Sequence, residues 1–293
     1  GSYSVILEAG ASLSITLVSN SGFSDTTATL TLSNISCEAI AGESSVTFQF
    51  DSALGTVTAG GNAVSAGEAV TVSGTDGAAL VATANSGVTF LGWVDGDNKI
   101  LSTAASYTLI PATDMTVQAV FAENGGTPWF AVGASSQKSQ SSGLIGLSKL
   151  YYYQVGTSYL FDDLTEAAAK ASSDASNKVL VLMNNATLPA GDYTIPSGVT
   201  LLVPFDSANT MYTDQVQWVD AAEVGKEVDP TPYRTLTLAD GANLAVNGSL
   251  SLPATHYYAN GGKQRGGSPT GPTAFLQMQG SSTITVNDGG TLY

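Results

Sequence analysis

Leu238-Ala239-Asp240-Gly241-Ala242-Asn243-Leu244-Ala245-Val246 runs on into Asn247-Gly248-Ser249-Leu250, and the phrase returns near the end of the chain. There it reads Met278-Gln279-Gly280-Ser281-Ser282-Thr283-Ile284-Thr285-Val286, then Asn287-Asp288-Gly289-Gly290-Thr291-Leu292. Ile195-Pro196-Ser197-Gly198-Val199-Thr200-Leu201-Leu202-Val203 has the same shape. Each phrase is an apolar residue, a short turn of small or polar residues, and then alternating apolar positions. A chain reads this way when it coils into stacked rungs, because one rung cannot bury its apolar side without a neighbour. The expectation is a β-solenoid rather than a compact catalytic domain. With the phrases in line, Asp240 falls opposite Gly280 and Ser197, Asp288 opposite Gly248, and Asn247 opposite Asn287. No two carboxylates stack, and the asparagine pair reads as a ladder of turns.

The 293-residue length allows two or three domains. Charged residues make up only 11% of the chain, so Ser, Thr, Asn and Gly must supply most of the polar surface, which suits strands and tight turns. The formal net charge is −15, and Lys99 is the sole basic residue before position 123. No segment is basic, which argues against nucleic acid and anionic membrane surfaces as partners. Cys37 is the single cysteine, so an internal disulfide is impossible and a buried thiol is expected. No apolar run is long enough for a membrane span. The chain opens Gly1-Ser2-Tyr3 without Met and closes on Thr291-Leu292-Tyr293 in mid-pattern, from which a piece of a longer polypeptide is expected.

Residues 3–121 read as strands. Leu13-Ser14-Ile15-Thr16-Leu17, Ala28-Thr29-Leu30-Thr31-Leu32 and Val46-Thr47-Phe48-Gln49-Phe50 alternate with period two, and Asn20-Ser21-Gly22, Gly60-Gly61-Asn62 and Thr75-Asp76-Gly77 punctuate them. The spacing predicts sandwich-like modules over 1–44 and 45–122. Residues 123–150, with their Ser/Gln/Gly stretch, read as a linker and lead-in, and 151–293 as the solenoid. Asp163 to Ser172 carries the one helix signal. Asp162 or Asp163 is placed to cap it, Glu166 lies in its first turn, and Leu164, Ala167, Ala168 and Ala171 form its apolar face. The helix is expected to cover the open end of the solenoid.

Two resemblances follow. Phe90-Leu91-Gly92-Trp93 together with Met115-Thr116-Val117-Gln118-Ala119-Val120-Phe121 resembles the internalin B-repeat family of bacterial surface proteins. That implies a small β module used for spacing or adhesion, without catalysis, and with Trp93 in its core. The helix, Val179-Leu180-Val181-Leu182, the rung at Tyr193–Leu201 and Tyr233-Arg234-Thr235-Leu236-Thr237-Leu238 resemble the pectin-lyase-like β-helices of Gram-positive gut bacterial surface proteins.

Candidate chemistry is sparse. Asp95-Gly96-Asp97-Asn98 is similar to the start of a calcium loop, but its twelfth position is Ser106 rather than a bidentate acid, so it reads as a hairpin turn. Calcium is the only cofactor the sequence raises, and none is expected. His256 stands alone and forms no metal site or triad. Two insertions interrupt the rungs. Residues 206–233 contain Tyr212 and Trp218, and residues 254–273 contain Tyr257, Tyr258 and Arg265. Exposed aromatic faces beside a guanidinium suit a glycan or a partner protein, although both stretches also read as plain coverings of the solenoid. The expectation is an all-β chain, with N-terminal β-sandwich-like modules followed by a truncated right-handed parallel β-helix and one capping helix. It would act outside the cell on a bacterial surface as a non-catalytic adhesin or glycan/host-matrix binder. The rivals are a polysaccharide lyase or glycoside hydrolase whose catalytic rungs lie beyond residue 293, and a purely structural stalk.

Overall fold

The computed structural model describes residues 42–141, 149–203, 210–212, 234–252, 257–259, 263–265 and 276–292. The expectations for strands before residue 42, for Cys37, for Trp218 and for His256 lie outside the described residues. Within them the chain is β almost throughout, with a single short helix.

Nine strands form the first unit: β1 (Glu43–Gln49), β2 (Gly55–Ala59), β3 (Asn62–Val64), β4 (Ala69–Ser73), β5 (Ala78–Ala84), β6 (Val88–Asp95), β7 (Ile100–Ser102), β8 (Ser106–Leu109) and β9 (Met115–Glu123). They make two sheets, ordered β4-β1-β9-β6-β7 and β3-β2-β5-β8. The period-two alternation sends Val46, Phe48, Val57, Leu80, Val117, Ala119 and Phe121 into one core between them. Trp93 is fully buried there, its indole N–H donating to Ala104 O at 3.1 Å, with Phe90 edge-on at 5.5 Å between ring centroids. A buried indole needs such a partner.

The stretch expected as a linker carries a long strand. Phe130–Ser141 is β10, which pairs antiparallel with β11 (Lys149–Phe161) from Phe130↔Phe161 to Ser141↔Lys149. The Ser/Gln composition suggested loop, but pairing overrides composition in a long hairpin. Phe130, Ala131 and Val132 are fully buried. After β11 comes α1 (Leu164–Ser173). Asp163 is its N-cap, Oδ1 accepting from Glu166 N at 2.9 Å, and Lys178 Nζ donates to the last-turn carbonyls of Ala171 and Ser172. The four residues expected on its apolar face are the four that are buried.

The remaining strands coil. β12 (Val179–Leu182), β13 (Ala186–Leu188) and β14 (Gly191–Ile195) make the first coil. β15 (Thr200–Leu202) begins the second, the short β16 (Thr210–Tyr212) lies in its insertion, and β17 (Leu236–Leu238) and β18 (Ala242–Val246) complete it. The third has β19 (Ser249–Ser251), the inserted pair β20 (Tyr257–Ala259) and β21 (Lys263–Arg265), then β22 (Leu276–Met278) and β23 (Thr283–Val286), with β24 (Thr291–Leu292) following. Strands stack in parallel as β12-β15-β19-β24, β13-β17-β22 and β14-β18-β23. At the first coil β10 pairs antiparallel with β12, and α1 packs against β12 and β14, so hairpin and helix together cover that end.

Strand register differs from the alignment of the phrases in sequence. Ile195 stacks on Val246, and Leu238 stacks on Leu188, so Ile195–Val203 is not the equivalent of Leu238–Val246. The true equivalent is Leu188-Pro189-Ala190-Gly191-Asp192-Tyr193-Thr194-Ile195. The apolar–turn–apolar phrase occurs at more than one corner of each coil, and periodicity alone does not say which. The pairing of the later two phrases holds. Asp240 Oδ1 accepts from Ser281 N and Oγ, both at 2.7 Å, and Asn287 Nδ2 donates to Asn247 Oδ1 at 2.7 Å. Asp288 is not opposite Gly248, because Ser249 pairs with Thr291, which leaves Asp288-Gly289 as extra residues in the third turn.

Candidate functional site

Every coil turns three corners, and two of them are closed by short turns and polar ladders. Asp192, Asn243 and Thr283 form one ladder, Asn243 Nδ2 donating to Asp192 Oδ1 at 2.8 Å and Thr283 Oγ1 to Asn243 Oδ1 at 2.7 Å. Ser249 and Thr291 hydroxyls meet at 2.7 Å. Gly248 leaves no room for more, since a Cβ there would lie 2.2 Å from the carbonyl oxygens of both Pro196 and Val199. Gly280 is held at φ +53 with its Cβ position 2.3 Å from Asp240 Oδ1. The amide and hydroxyl of Ser281 hold the Asp240 carboxyl below its usual range.

The third corner, between the β12 and β13 columns, differs. On the first coil it is the short turn Met183-Asn184-Asn185. On the second the chain leaves after Val203 and returns at Arg234. On the third it leaves after Leu252 and returns at Leu276. Both insertions singled out in the sequence therefore start and finish at one corner on adjacent coils, Leu202 pairing with Ser251 on departure and Leu236 with Leu276 on return.

Three of the five expected site residues fall in the second of these insertions. Tyr257 is the register partner of Arg265 and Tyr258 of Gln264, so these three candidates share one hairpin. Tyr212 lies elsewhere, opposite Tyr152 on β11. Trp218 is outside the described residues. Arg234, which the sequence reading did not single out for a role, is buried where the first insertion returns, and its guanidinium donates to Leu182 O. Only register, fixed by the fold, could have marked it.

The first-coil corner is where the N-terminal unit attaches. Asn184 is 5% exposed, with Oδ1 accepting from Trp129 N at 3.0 Å and Nδ2 donating to the carbonyls of Glu123 and Thr127 at 2.9 Å each. Asn185 O accepts from Gly125 N at 2.7 Å, and its Oδ1 accepts from Thr235 N at 2.8 Å. Beside it a cleft of about 240 Å³ is lined by Asp51, Leu54, Phe121, Glu123, Trp129 and Asp162, among others. On the far side, the Asp95 carboxylate raised as a calcium ligand accepts from the amides of Asp97 and Lys99 at 2.9 Å, which makes the tight turn in which Asn98 takes φ +61. Asn98 O then accepts from Leu160 N.

Residues 46–125 match the family model of the divergent InlB B-repeat domain. A module of this kind points to a bacterial surface protein. No curated protein and no solved structure matches the chain. Among the described residues no helix is long and apolar enough to cross a membrane.

Proposed function

We propose that this chain is part of an extracellular adhesin of a Gram-positive bacterium, in which a B-repeat module leads into a right-handed, pectin-lyase-like parallel β-helix. Its role is to present a glycan- or host-protein-binding edge away from the cell. The observation that carries this reading is the segregation of irregular sequence. Two corners of each coil are closed by turns and ladders, while the third releases two long insertions on neighbouring coils. Loops on a rigid scaffold are where specificity is placed. The three parallel columns support the β-helix, and the right-handed sense follows from the strong bias of parallel crossovers. Tyr257, Tyr258 and Arg265 of one hairpin, with Tyr212 and Trp218 of the other insertion, are the residues assigned to ligand. No resident metal or cofactor is needed for such binding.

The test is a glycan and host-matrix array probed with the chain and with a Tyr257→Ala/Tyr258→Ala variant. Binding that is specific and lost in the variant supports the reading. Binding unchanged by this variant but lost in Trp218→Ala moves the site to the first insertion. Absence of binding to every glycan and matrix protein sinks it in favour of a stalk.

A further inference from the structure

The first and last strands of the N-terminal unit, β1 and β9, are neighbours and run parallel, with register Val46↔Met115, Thr47↔Thr116, Phe48↔Val117 and Gln49↔Gln118. Neither is an edge. β4 flanks β1 from Glu43↔Ser73 to Thr47↔Ala69, and β6 flanks β9 from Val88↔Glu123 to Asp95↔Val117. The chain therefore enters the unit at one end of this pair and leaves it at the other. Tension along the chain pulls the start of β1 and the end of β9 in opposite directions along a common axis. In that geometry the strands must slide past each other, and the evenly spaced bonds of the parallel ladder are loaded together. Sliding would also drag Val46, Phe48, Val117 and Phe121, all nearly or wholly buried, through a close-packed core.

The exit side is equally firm. Glu123 O is held by Asn184, Gly125 N by Asn185 O, and Thr127 O by Asn184 again. Leu91, Val94, Val120 and Ala122, on the face of the sheet away from Trp93, share a continuous core with Trp129, Phe130 and Leu160. Lys99 bridges to Tyr159. Force leaving β9 passes into the first coil and not into a slack tether.

We propose that residues 43–123 are a tension-bearing element. The unit resists pulling along the chain by shear of the β1–β9 ladder and transmits it to the coils through the Asn184/Asn185 joint. This holds whichever ligand, if any, the insertions bind.

Single-molecule force spectroscopy on the full chain tests it, with Cys37→Ser so that introduced handles are unique. One arm places handles by Glu43→Cys and Ser197→Cys, which loads β1 against β9. The other uses Glu43→Cys and Thr75→Cys, which pulls apart the adjacent ends of antiparallel β1 and β4 and opens their bonds one at a time. The proposal expects a several-fold higher rupture force in the first arm, since forced unfolding reads the barrier along the pulled direction. It also expects the hairpin, helix and first coil between residues 124 and 197 to stay folded until the unit yields. Equal forces in the two arms overturn it, as does a first event whose released length belongs to residues 124–197.

Discussion

The N-terminal unit and the coils bury similar side chains by opposite means. In the unit, each core residue occupies a place no other residue repeats, between two sheets that close on each other. In the coils, a buried residue is buried by its own equivalent one turn away: Leu180 by Leu201 and Leu201 by Leu250, Leu188 by Leu238, Ile195 by Val246. The outermost described row shows the dependence. Met278, Val286 and Leu292 occupy the same columns, yet they are 51%, 44% and 50% exposed. Burial in the coils is a property of the neighbour, while in the unit it is a property of the closed sandwich.

One truncation made at two heights of one column should show the dependence most strongly. Leu201→Ala, in mid-stack, should cost about 3 kcal/mol or more, and Leu292→Ala, half exposed, under about 1 kcal/mol. Denaturant titration measures both, and equal losses would mean that the columns do not stack as described. Hydrogen exchange on Leu201→Ala should show lost protection in the coils before β1–β9.

Glycines give the next contrast. Gly248→Ala forces a Cβ against two carbonyls of the coil below and should cost about 3 kcal/mol. Gly60→Ala in the β2–β3 turn has open space and only its positive φ of +58 to resist it, so about 1 kcal/mol is expected. A smaller loss at Gly248 than at Gly60 would show that the coils breathe apart. Between the two regions, Asn184→Ala strips three hydrogen bonds from a buried joint. It should cost about 2–3 kcal/mol and turn one unfolding transition into two. A single unchanged transition would show that the shared core alone couples the halves. Asn287→Ala removes one exposed rung of a ladder, for about 0.5–1 kcal/mol.

The smallest effect is with acid. The amides of Asn177 and Ser176 and the Asn177 side chain lower Asp174 to about 2, and Ser281 lowers Asp240. Carboxyls depressed on folding stabilise above their unfolded value, near about 4, and lose that contribution as pH falls through the folded value. Melting temperature should therefore decline from about pH 4 towards pH 2, with a shallower slope in Asp174→Asn. Both groups lie at the cap or in the coils, so the loss should begin there.

Much of this was legible from residues, and where it was not the reason is physical. Among the described residues, alternation gave the strands from Val46 onward, and Phe90-Leu91-Gly92-Trp93 with the terminal strand gave the B-repeat match. Asp163 with the Leu164/Ala167/Ala168/Ala171 face gave the helix almost to the residue. The β10–β11 hairpin was missed because Ser and Gln in a strand look like linker until a partner is known. The coil register was misassigned between Ile195 and Leu238 because similar turns recur at different corners, and only pairing tells them apart. Of the candidate site, the insertions and their aromatics were visible. Their origin at one corner was not, because it depends on which strand each insertion follows.

That corner has a consequence for anyone who wishes to edit this protein. The first coil crosses it with Asn184-Asn185, whereas the second and third cross it with long detours, and the strands on either side keep the same register in all three. Loop closure grows only slowly with length, so the number of residues spanning this corner is close to a free variable. The position is a natural graft socket. A foreign peptide inserted between Tyr212 and Arg234 leaves the stacked columns the same partners and keeps the pairing of β16 with β11, which replacing the whole detour by the first coil's short turn would remove.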